Sequence, residues 1–154
     1  MEDARAAWDW LARQHPGRAR YIFGHSLGGA LAIICALDLS MMNLPIAGVY
    51  TFGQPRVGDA AFAAHYNNEL RDLTFRVVNQ NDIVPRTPGV LMGYRHCGNE
   101  VFMQPVAGWG FNPSVPVKLL FDTLGFWGAY RNRSDVLVNN HLISNYIARM
   151  KGIV

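Results

Sequence analysis

One short polar stretch between two apolar segments constrains this chain more than any other feature. Arg20–Phe23 predicts a short buried strand, and the run from Ala30 to about Ser40 is apolar on every side, which predicts a helix buried all round. Gly24-His25-Ser26-Leu27-Gly28 lies between them with the spacing G-x-S-x-G. Polar groups are costly to bury without partners. Ser26 is therefore either a satisfied core serine or a residue whose hydroxyl is exposed at a sharp turn.

The strand-turn-helix context favours the sharp turn, because the mechanics of this motif require that context. We expect Gly24 and Gly28 to be glycines because side chains there would collide with the neighbouring strand and helix. Gly29 would let the helix begin close to the sheet. The turn would present the Ser26 hydroxyl at the carboxyl edge of the strands, where open α/β sheets bind ligands. The N–H of Leu27 would then point at a developing oxyanion. The alternative is a glycine-rich turn with an idle serine.

The rest of the chain predicts helices that alternate with strands, and this pattern favours a parallel sheet with helices on both faces. By length, residues 1–154 form one domain. The first helix should end at His15-Pro16-Gly17, and Asp59 should cap a helix with Phe62, Tyr66 and Leu70 on its apolar face. The other predicted elements are strands at Ile46–Phe52 and Thr74–Val78, a strand or hairpin at Tyr94–Met103, an irregular Gln104–Pro116, a helix at Val117–Trp127 and an amphipathic helix from His141 to Met150.

A serine hydroxyl is a weak nucleophile and needs a positioned base, for which the chain offers five histidines. His141 follows a polar loop and precedes the last helix, so it is the first candidate, with His96 as the alternative. His25 is expected to point away from Ser26 and to be structural. The remaining two, His15 and His65, are expected at the surface.

The carboxylate that orients the base should lie on a loop directly after a strand, and Asp82 does so. Five other aspartates lie in predicted helices or at a helix cap, namely Asp38, Asp59, Asp72, Asp122 and Asp135. The chain order Ser26, Asp82, His141 is the order of α/β-hydrolases and differs from the two common serine-protease orders. Asp82 and His141 also have ordinary alternatives, as a loop-capping aspartate and a helix-terminal histidine.

Three segments, at 24–31, 51–58 and 81–86, resemble the class 3 (fungal-type) lipases of the α/β-hydrolase fold. They read GHSLGGAL, TFGQPRVG and NDIVPR. The resemblance implies that Ser26, Asp82 and His141 are the catalytic residues, with Leu27 N–H in the oxyanion hole. It implies hydrolysis of carboxylic esters, with acylglycerols as the expected substrates, without metal or organic cofactor.

The resemblance begins near Ala4, whereas members of this family carry an N-terminal half before that point. That half supplies the first strands, the lid and a second oxyanion donor, so we expect an N-terminally truncated domain. Strand Arg20–Phe23 would then be an open sheet edge, and such an edge favours self-association. A second hypothesis is therefore an inactive or weak lipase fragment that acts as a lipid-binding or interaction module. A thioesterase or acyltransferase would use the same three residues.

Composition restricts the partners further. The net charge is +3 without a dense basic stripe, so nucleic acid is not expected as a partner. Cys35 and Cys97 fit neither a zinc site nor a redox motif, and a disulfide between them is not favoured. The longest apolar run, Ala30–Leu37, is too short to span a membrane. Charged residues follow Met1 where a signal peptide would be apolar, so no signal peptide is predicted. The sequence does not indicate a compartment, although members of the family that it resembles are often secreted.

An aromatic region between Asp82 and His141 is the candidate acyl-binding surface. Its residues are Trp109, Phe111 and Phe126, and apolar patches of this kind mark lipid contacts and ligand sites. Ordinary packing over the sheet is the alternative reading of the same residues.

Overall fold

The structure, a computed structural model, describes residues 2–79, 82–103, 108–114, 116 and 139–152. Strands and helices alternate along its first half, as the sequence predicts. The described helices and strands are α1 (Glu2–Gln14), β1 (Tyr21–His25), α2 (Leu27–Met41), β2 (Gly48–Phe52), α3 (Ala60–Leu70), β3 (Thr74–Asn79), β4 (Asn99–Met103), β5 (Trp109–Phe111) and α4 (Ile143–Met150).

The strands form one sheet in the order β1-β2-β3-β4-β5, with the first four parallel and β5 antiparallel to β4. Parallel neighbours that follow one another in the chain need crossover connections, and α2 and α3 provide the first two. Because all four parallel strands run in one direction, their carboxyl ends meet at one edge of the sheet. Within the described part of the chain β1 is an edge strand, as expected, and Phe23 on it is 66% exposed.

Helices cover both faces of the sheet. Val49 of β2 packs with Ile33 of α2 and Tyr66 of α3 in one buried cluster. Phe52 and Tyr146 belong to a second cluster, which joins the sheet to α4. Residues three apart on a strand point to opposite faces, so α2 and α3 cover one face and α4 packs on the other. Asp59 caps α3 as predicted, its carboxylate accepting from the N–H of Phe62 at 2.8 Å.

The prediction that α2 is buried all round is wrong. Ala32, Ile33 and Ala36 are buried against the sheet and α3, but Leu31 and Ile34 are exposed. A uniformly apolar helix sequence does not show which side meets the sheet, and here only that side is covered by described residues. Cys35 is half-buried, and both cysteines are free.

Two predicted segments also differ from the structure. Only Asn99–Met103 of the Tyr94–Met103 segment is a strand, and Gly98 before it has a φ of 71°. The segment Gln104–Pro116, predicted as irregular from its glycines and prolines, contains β5, which pairs with β4. The predicted helix at Val117–Trp127 lies outside the described residues. Among the described residues, no helix combines the length and the apolar character needed to span a membrane.

Candidate active site

The turn between β1 and α2 is a strained elbow at the carboxyl edge of the sheet. Ser26 has φ 57° and ψ −129°, a conformation that non-glycine residues rarely adopt and that clusters at functional sites. Its N–H donates to the Phe52 carbonyl at 2.9 Å, which fastens the elbow to β2. A Cβ on Gly24 would meet the Gly28 carbonyl, with Gly29 Cα at 2.7 Å, so the predicted need for glycine at position 24 is confirmed.

The prediction for Gly28 is wrong, whereas that for Gly29 agrees with the structure. A Cβ on Gly28 would have nothing within 4 Å, because this residue lies on the open side of the first helical turn. On the sheet side, a Cβ on Gly29 would lie 3.0 Å from Gln54 Cβ. The helix therefore begins against the segment that follows β2, and Gly29 is the residue that permits this approach.

Ser26, His141 and Asp82 form a continuous hydrogen-bonded chain. Ser26 Oγ lies 2.8 Å from His141 Nε2, and His141 Nδ1 lies 2.9 Å and 3.1 Å from the two carboxylate oxygens of Asp82. An ionised carboxylate only accepts hydrogen bonds, so Nδ1 carries the imidazole proton and Nε2 is free to accept from the serine. The structure brings these three residues together from positions up to 115 residues apart in the sequence.

Asp82 is fully buried, and its carboxylate is satisfied by the groups around it. Oδ1 accepts from the Val84 N–H at 2.9 Å, and Oδ2 accepts from the Tyr146 hydroxyl at 2.7 Å. A buried charge needs such donors, since its desolvation is otherwise costly. These contacts therefore fix the position of the carboxylate next to His141 Nδ1.

Tyr146 is a site residue that the sequence analysis missed. It is fully buried on α4, and its hydroxyl also accepts from the Asn79 N–H at 3.0 Å. Burial raises the pKa of Tyr146 well above its ordinary value, and the charge of Asp82 raises it further. Its periodicity in the last helix predicted a core residue, but nothing in the sequence linked it to Asp82.

Gly53 is a second residue that was not singled out. It follows β2 with a φ of 58°, and a Cβ there would lie 2.8 Å from Asp82 Oδ2 and 2.9 Å from His141 Nδ1. The backbone just after β2 thus runs directly beside the His141–Asp82 pair. Glycine is needed at this position both for its conformation and for the space beside the imidazole.

The predicted direction of the His25 side chain is wrong, because the side chain contacts His141, whereas its structural role stays a prediction. Its Nε2 lies 2.8 Å from the His141 carbonyl oxygen, and the two imidazoles stack with centroids 4.7 Å apart. The elbow turns the chain so sharply that neighbouring residues meet two sides of the same imidazole. His25 is the last residue of β1, on the face that α4 covers.

The other histidines are not at the site. His96 is half-buried, and its Nε2 lies 2.7 Å from the Pro85 carbonyl oxygen, so the structure does not bring this alternative base to Ser26. His15 and His65 are exposed, as predicted. His141 itself lies in the turn before α4 rather than inside the helix.

The loop after β3, which carries Asp82, is fastened by Arg56. The Arg56 guanidinium donates to the carbonyls of Arg86 and Pro88, the latter at 2.7 Å. The backbone N–H of Arg56 donates to the Thr87 carbonyl at 2.8 Å. Burial lowers the pKa of Arg56, and Arg76 nearby lowers it further. This contact joins the TFGQPRVG segment to the NDIVPR segment.

The predicted acyl-binding residues lie away from Ser26. Trp109 and Phe111 are exposed on β5, four strand positions from β1 and roughly 19 Å across the sheet. The Phe111 ring lies 6.5 Å from that of Phe75. Their role in substrate binding stays a prediction, and Phe126 lies outside the described residues.

One cavity lies away from Ser26, and the described residues offer no metal site. This cavity, of about 410 Å³, is lined by Trp8, Arg20 and Tyr21, at the amino end of β1, whereas Ser26 follows its carboxyl end. Among the described residues, no group of histidine, cysteine or acidic side chains is arranged to hold a metal ion.

Comparison with known proteins identifies the family of this chain. The sequence profile of the lipase (class 3) family matches residues 3–92. A lipase of Rhizomucor miehei is 42% identical over 95 residues, which are 59% of this chain and 26% of that protein. A secreted mono- and diacylglycerol lipase of Malassezia globosa is 34% identical over 106 residues, 68% of this chain and 35% of that protein.

A solved triacylglycerol lipase, described as having a serine protease triad as its catalytic centre, superposes with a TM-score of 0.57. It is 37% identical, and the match covers 65% of this chain and 38% of the lipase. The chain thus spans between about a quarter and two fifths of the lengths of these relatives. The predicted fold class, a mostly parallel sheet of the α/β-hydrolase type with helices on both faces, is confirmed. With more than half of its length matched by one family profile, the chain belongs to the class 3 lipases.

Proposed function

We propose that this chain carries the catalytic residues of a carboxylic ester hydrolase, with Ser26 as nucleophile, His141 as general base and Asp82 as the residue that orients the base. The observation that carries the proposal is the unbroken path from Ser26 Oγ through His141 to the buried Asp82 carboxylate, with contacts of 2.8 Å and 2.9 Å. Each group has the partner that its role requires.

In the first half of the reaction, Ser26 Oγ attacks the ester carbonyl carbon while His141 Nε2 takes the hydroxyl proton. The carbonyl oxygen becomes an oxyanion in the tetrahedral intermediate. The imidazolium of His141 is stabilised by Asp82, to which its Nδ1–H remains bonded. The C–O bond to the alcohol then breaks, His141 returns the proton to the departing oxygen, and the acyl group remains on Ser26.

In the second half, water replaces the alcohol. His141 takes a proton from the water as its oxygen attacks the acyl carbon, and a second tetrahedral intermediate forms. This intermediate collapses when the bond to Ser26 Oγ breaks and His141 protonates that oxygen. The carboxylic acid leaves, and the serine hydroxyl is restored for another cycle.

The Leu27 N–H is the proposed oxyanion donor. Leu27 is the first residue of α2, so its N–H is one of the four at a helix start that have no acceptor within the helix. The positive end of the helix dipole adds to its attraction for an oxyanion. Donors that are in place before charge develops contribute more than donors that must reorient.

Acylglycerols are the proposed substrates, because the Malassezia globosa relative is a mono- and diacylglycerol lipase and the solved relative is a triacylglycerol lipase. We further propose that Trp109 and Phe111 contact the acyl chain or a lipid surface. Replacing Trp109 by Ser should then reduce hydrolysis of a palmitate ester more than that of a butyrate ester. Trp10→Ser is the matched control, because Trp10 on α1 is 55% exposed and Trp109 is 53% exposed. Equal losses for both esters would exclude the acyl role of Trp109.

The first experiment is hydrolysis of p-nitrophenyl butyrate and p-nitrophenyl palmitate by the purified protein, beside Ser26→Ala of matched folding. We expect activity in the wild type and a loss on the order of 10⁶-fold in the variant, since the nucleophile has no substitute. A fluorophosphonate probe should label the wild type and not Ser26→Ala. A folded wild type that neither hydrolyses the esters nor takes the probe would favour the alternative of a lipid-binding or interaction module.

A further inference from the structure

We propose that His25 is a positioning residue for His141, which holds both the backbone and the ring of the base in place. This inference rests on the proposed function, because it assigns His25 a part in that reaction. His25 does not touch the reacting atoms. It acts on the residue that exchanges protons with Ser26.

The first contact fixes the backbone. A carbonyl oxygen only accepts hydrogen bonds, so the 2.8 Å contact requires a proton on His25 Nε2 and directs it at the His141 carbonyl. His141 lies in a turn before α4, outside every described strand and helix. The neighbouring carbonyl, that of Asn140, accepts from Asn79 Nδ2 at 2.9 Å. Two side chains from β-strand ends thus hold consecutive peptide groups of this turn.

The second contact limits rotation of the base. The His25 and His141 rings lie 4.7 Å apart, with 27° between their planes. The His25 ring is itself held at its edge by Tyr146, with centroids 6.1 Å apart. An imidazole packed on its face by another ring cannot turn about its Cβ–Cγ bond without a collision. This packing keeps Nδ1 toward Asp82 and Nε2 toward Ser26.

His25 and Ser26 are neighbours in the chain, and both contact His141. The strained backbone at Ser26 sends its Oγ to His141 Nε2, while the residue before it contacts the carbonyl and ring face of the same histidine. One elbow therefore sets the distance between nucleophile and base from both sides. A displacement of about 1 Å at this point is enough to reduce turnover on the order of 10²-fold.

The test compares three substitutions of His25 in the full chain. His25→Ala removes both contacts, His25→Gln keeps a donor at about the same reach, and His25→Phe keeps a ring without the donor. We expect His25→Ala to reduce kcat for p-nitrophenyl butyrate by about 10- to 100-fold with KM changed less than about threefold. Each partial variant should recover part of that loss. His65→Ala, on the exposed face of α3, is the control for removing a histidine.

A second measurement does not depend on activity. The proton on His141 Nδ1, bonded to the buried Asp82 carboxylate, should give a downfield proton resonance that is absent in His141→Gln. We expect this resonance to broaden or disappear in His25→Ala while circular dichroism shows an unchanged fold. If the resonance and kcat are the same in His25→Ala as in the wild type, the positioning role is excluded. If the wild type hydrolyses no ester but the resonance still depends on His25, the proposed function fails and the positioning role stands.

Discussion

The Tyr146 hydroxyl donates to Asp82 Oδ2 at 2.7 Å, and the same oxygen lies 2.9 Å from His141 Nδ1. One carboxylate oxygen therefore has a phenol on one side and the base on the other. A fully buried carboxylate keeps its charge only where donors surround it. In the described residues, these donors come from α4, from the turn before it and, at Val84, from the loop after β3.

Replacing Tyr146 by Phe removes one donor and leaves the buried charge less satisfied. A hydrogen bond to a charged group contributes about 1.5–3 kcal/mol, so the free energy of unfolding should fall by that amount. We expect kcat for ester hydrolysis to fall by about tenfold or more, because Asp82 would be free to move relative to His141. Urea unfolding and steady-state kinetics measure the two effects. Tyr94→Phe, in an exposed part of the loop before β4, is the control, and equal behaviour of the two variants would contradict the role of Tyr146.

Cys97 makes stability sensitive to alkaline pH. Burial raises the pKa of this thiol from its usual 9.0 to about 12, although the nearby Arg76 lowers it. Between these two values the unfolded chain releases the proton while the folded chain keeps it. Stability is thus fully present below pH 9.0 and falls as pH rises toward 12, with a slope of at most about 1.4 kcal/mol per pH unit.

Urea unfolding between pH 8 and 10 tests this dependence, since tyrosines ordinarily ionise only at about 10 and above. The wild type should lose stability steadily above pH 9. Cys97→Ala should be less stable at pH 8, because a buried side chain is shortened, but should show a flatter decline. Parallel declines in the two proteins would mean that another group is responsible.

The part of the site that could be predicted from the sequence is the part fixed by local geometry. Ser26 lies at a strand-to-helix turn with a glycine on each side, and Asp82 lies just beyond a strand end. Because the carboxyl ends of parallel strands meet at one edge, these two loops had to lie near one another. The Arg56 contacts with the loop carrying Asp82 belong to the same edge.

The rest depends on contacts that sequence spacing does not encode. His25 and His141 are 116 residues apart, and their stacking follows from the angle of the elbow rather than from either segment. In the sequence, Tyr146 is an ordinary core residue of an amphipathic helix. Only the structure shows its hydrogen bond to Asp82. β5 forms by pairing with β4, although Gly110 and the glycine and proline residues around this short segment favour irregular structure. These errors arise where tertiary contacts decide between equally reasonable local readings.

Gly53 should not tolerate even a methyl group. A Cβ at this position would lie 2.8 Å from Asp82 Oδ2 and 2.9 Å from His141 Nδ1, both closer than real Cβ atoms come. Either the His141–Asp82 pair or the backbone just after β2 must then shift. We expect Gly53→Ala to reduce kcat by on the order of 10²-fold or more, with a smaller effect on the unfolding free energy.

Gly89→Ala is the control for adding a methyl group alone, because a Cβ there would have nothing within 4 Å and the φ of Gly89, −61°, suits alanine. This control should behave as the wild type in both kinetics and unfolding. A Gly53→Ala protein with wild-type kcat would show that the pair can be displaced without loss and would contradict the tight geometry described above.

Two glycines that the sequence treats alike should respond in opposite ways to the same substitution. A Cβ on Gly24 would collide with the Gly28 carbonyl, which lies in the backbone of α2 and cannot move without opening the elbow. Gly24→Ala should therefore lower the free energy of unfolding by about 3 kcal/mol, the upper end for overpacking. Gly28→Ala meets open space within a helix, where alanine is favoured over glycine by up to about 1 kcal/mol, so stability should rise or stay unchanged. Urea unfolding of both variants beside the wild type decides the point. A loss of similar size in both would mean that the space beside Gly28 is filled in solution, and the elbow would then depend on both glycines.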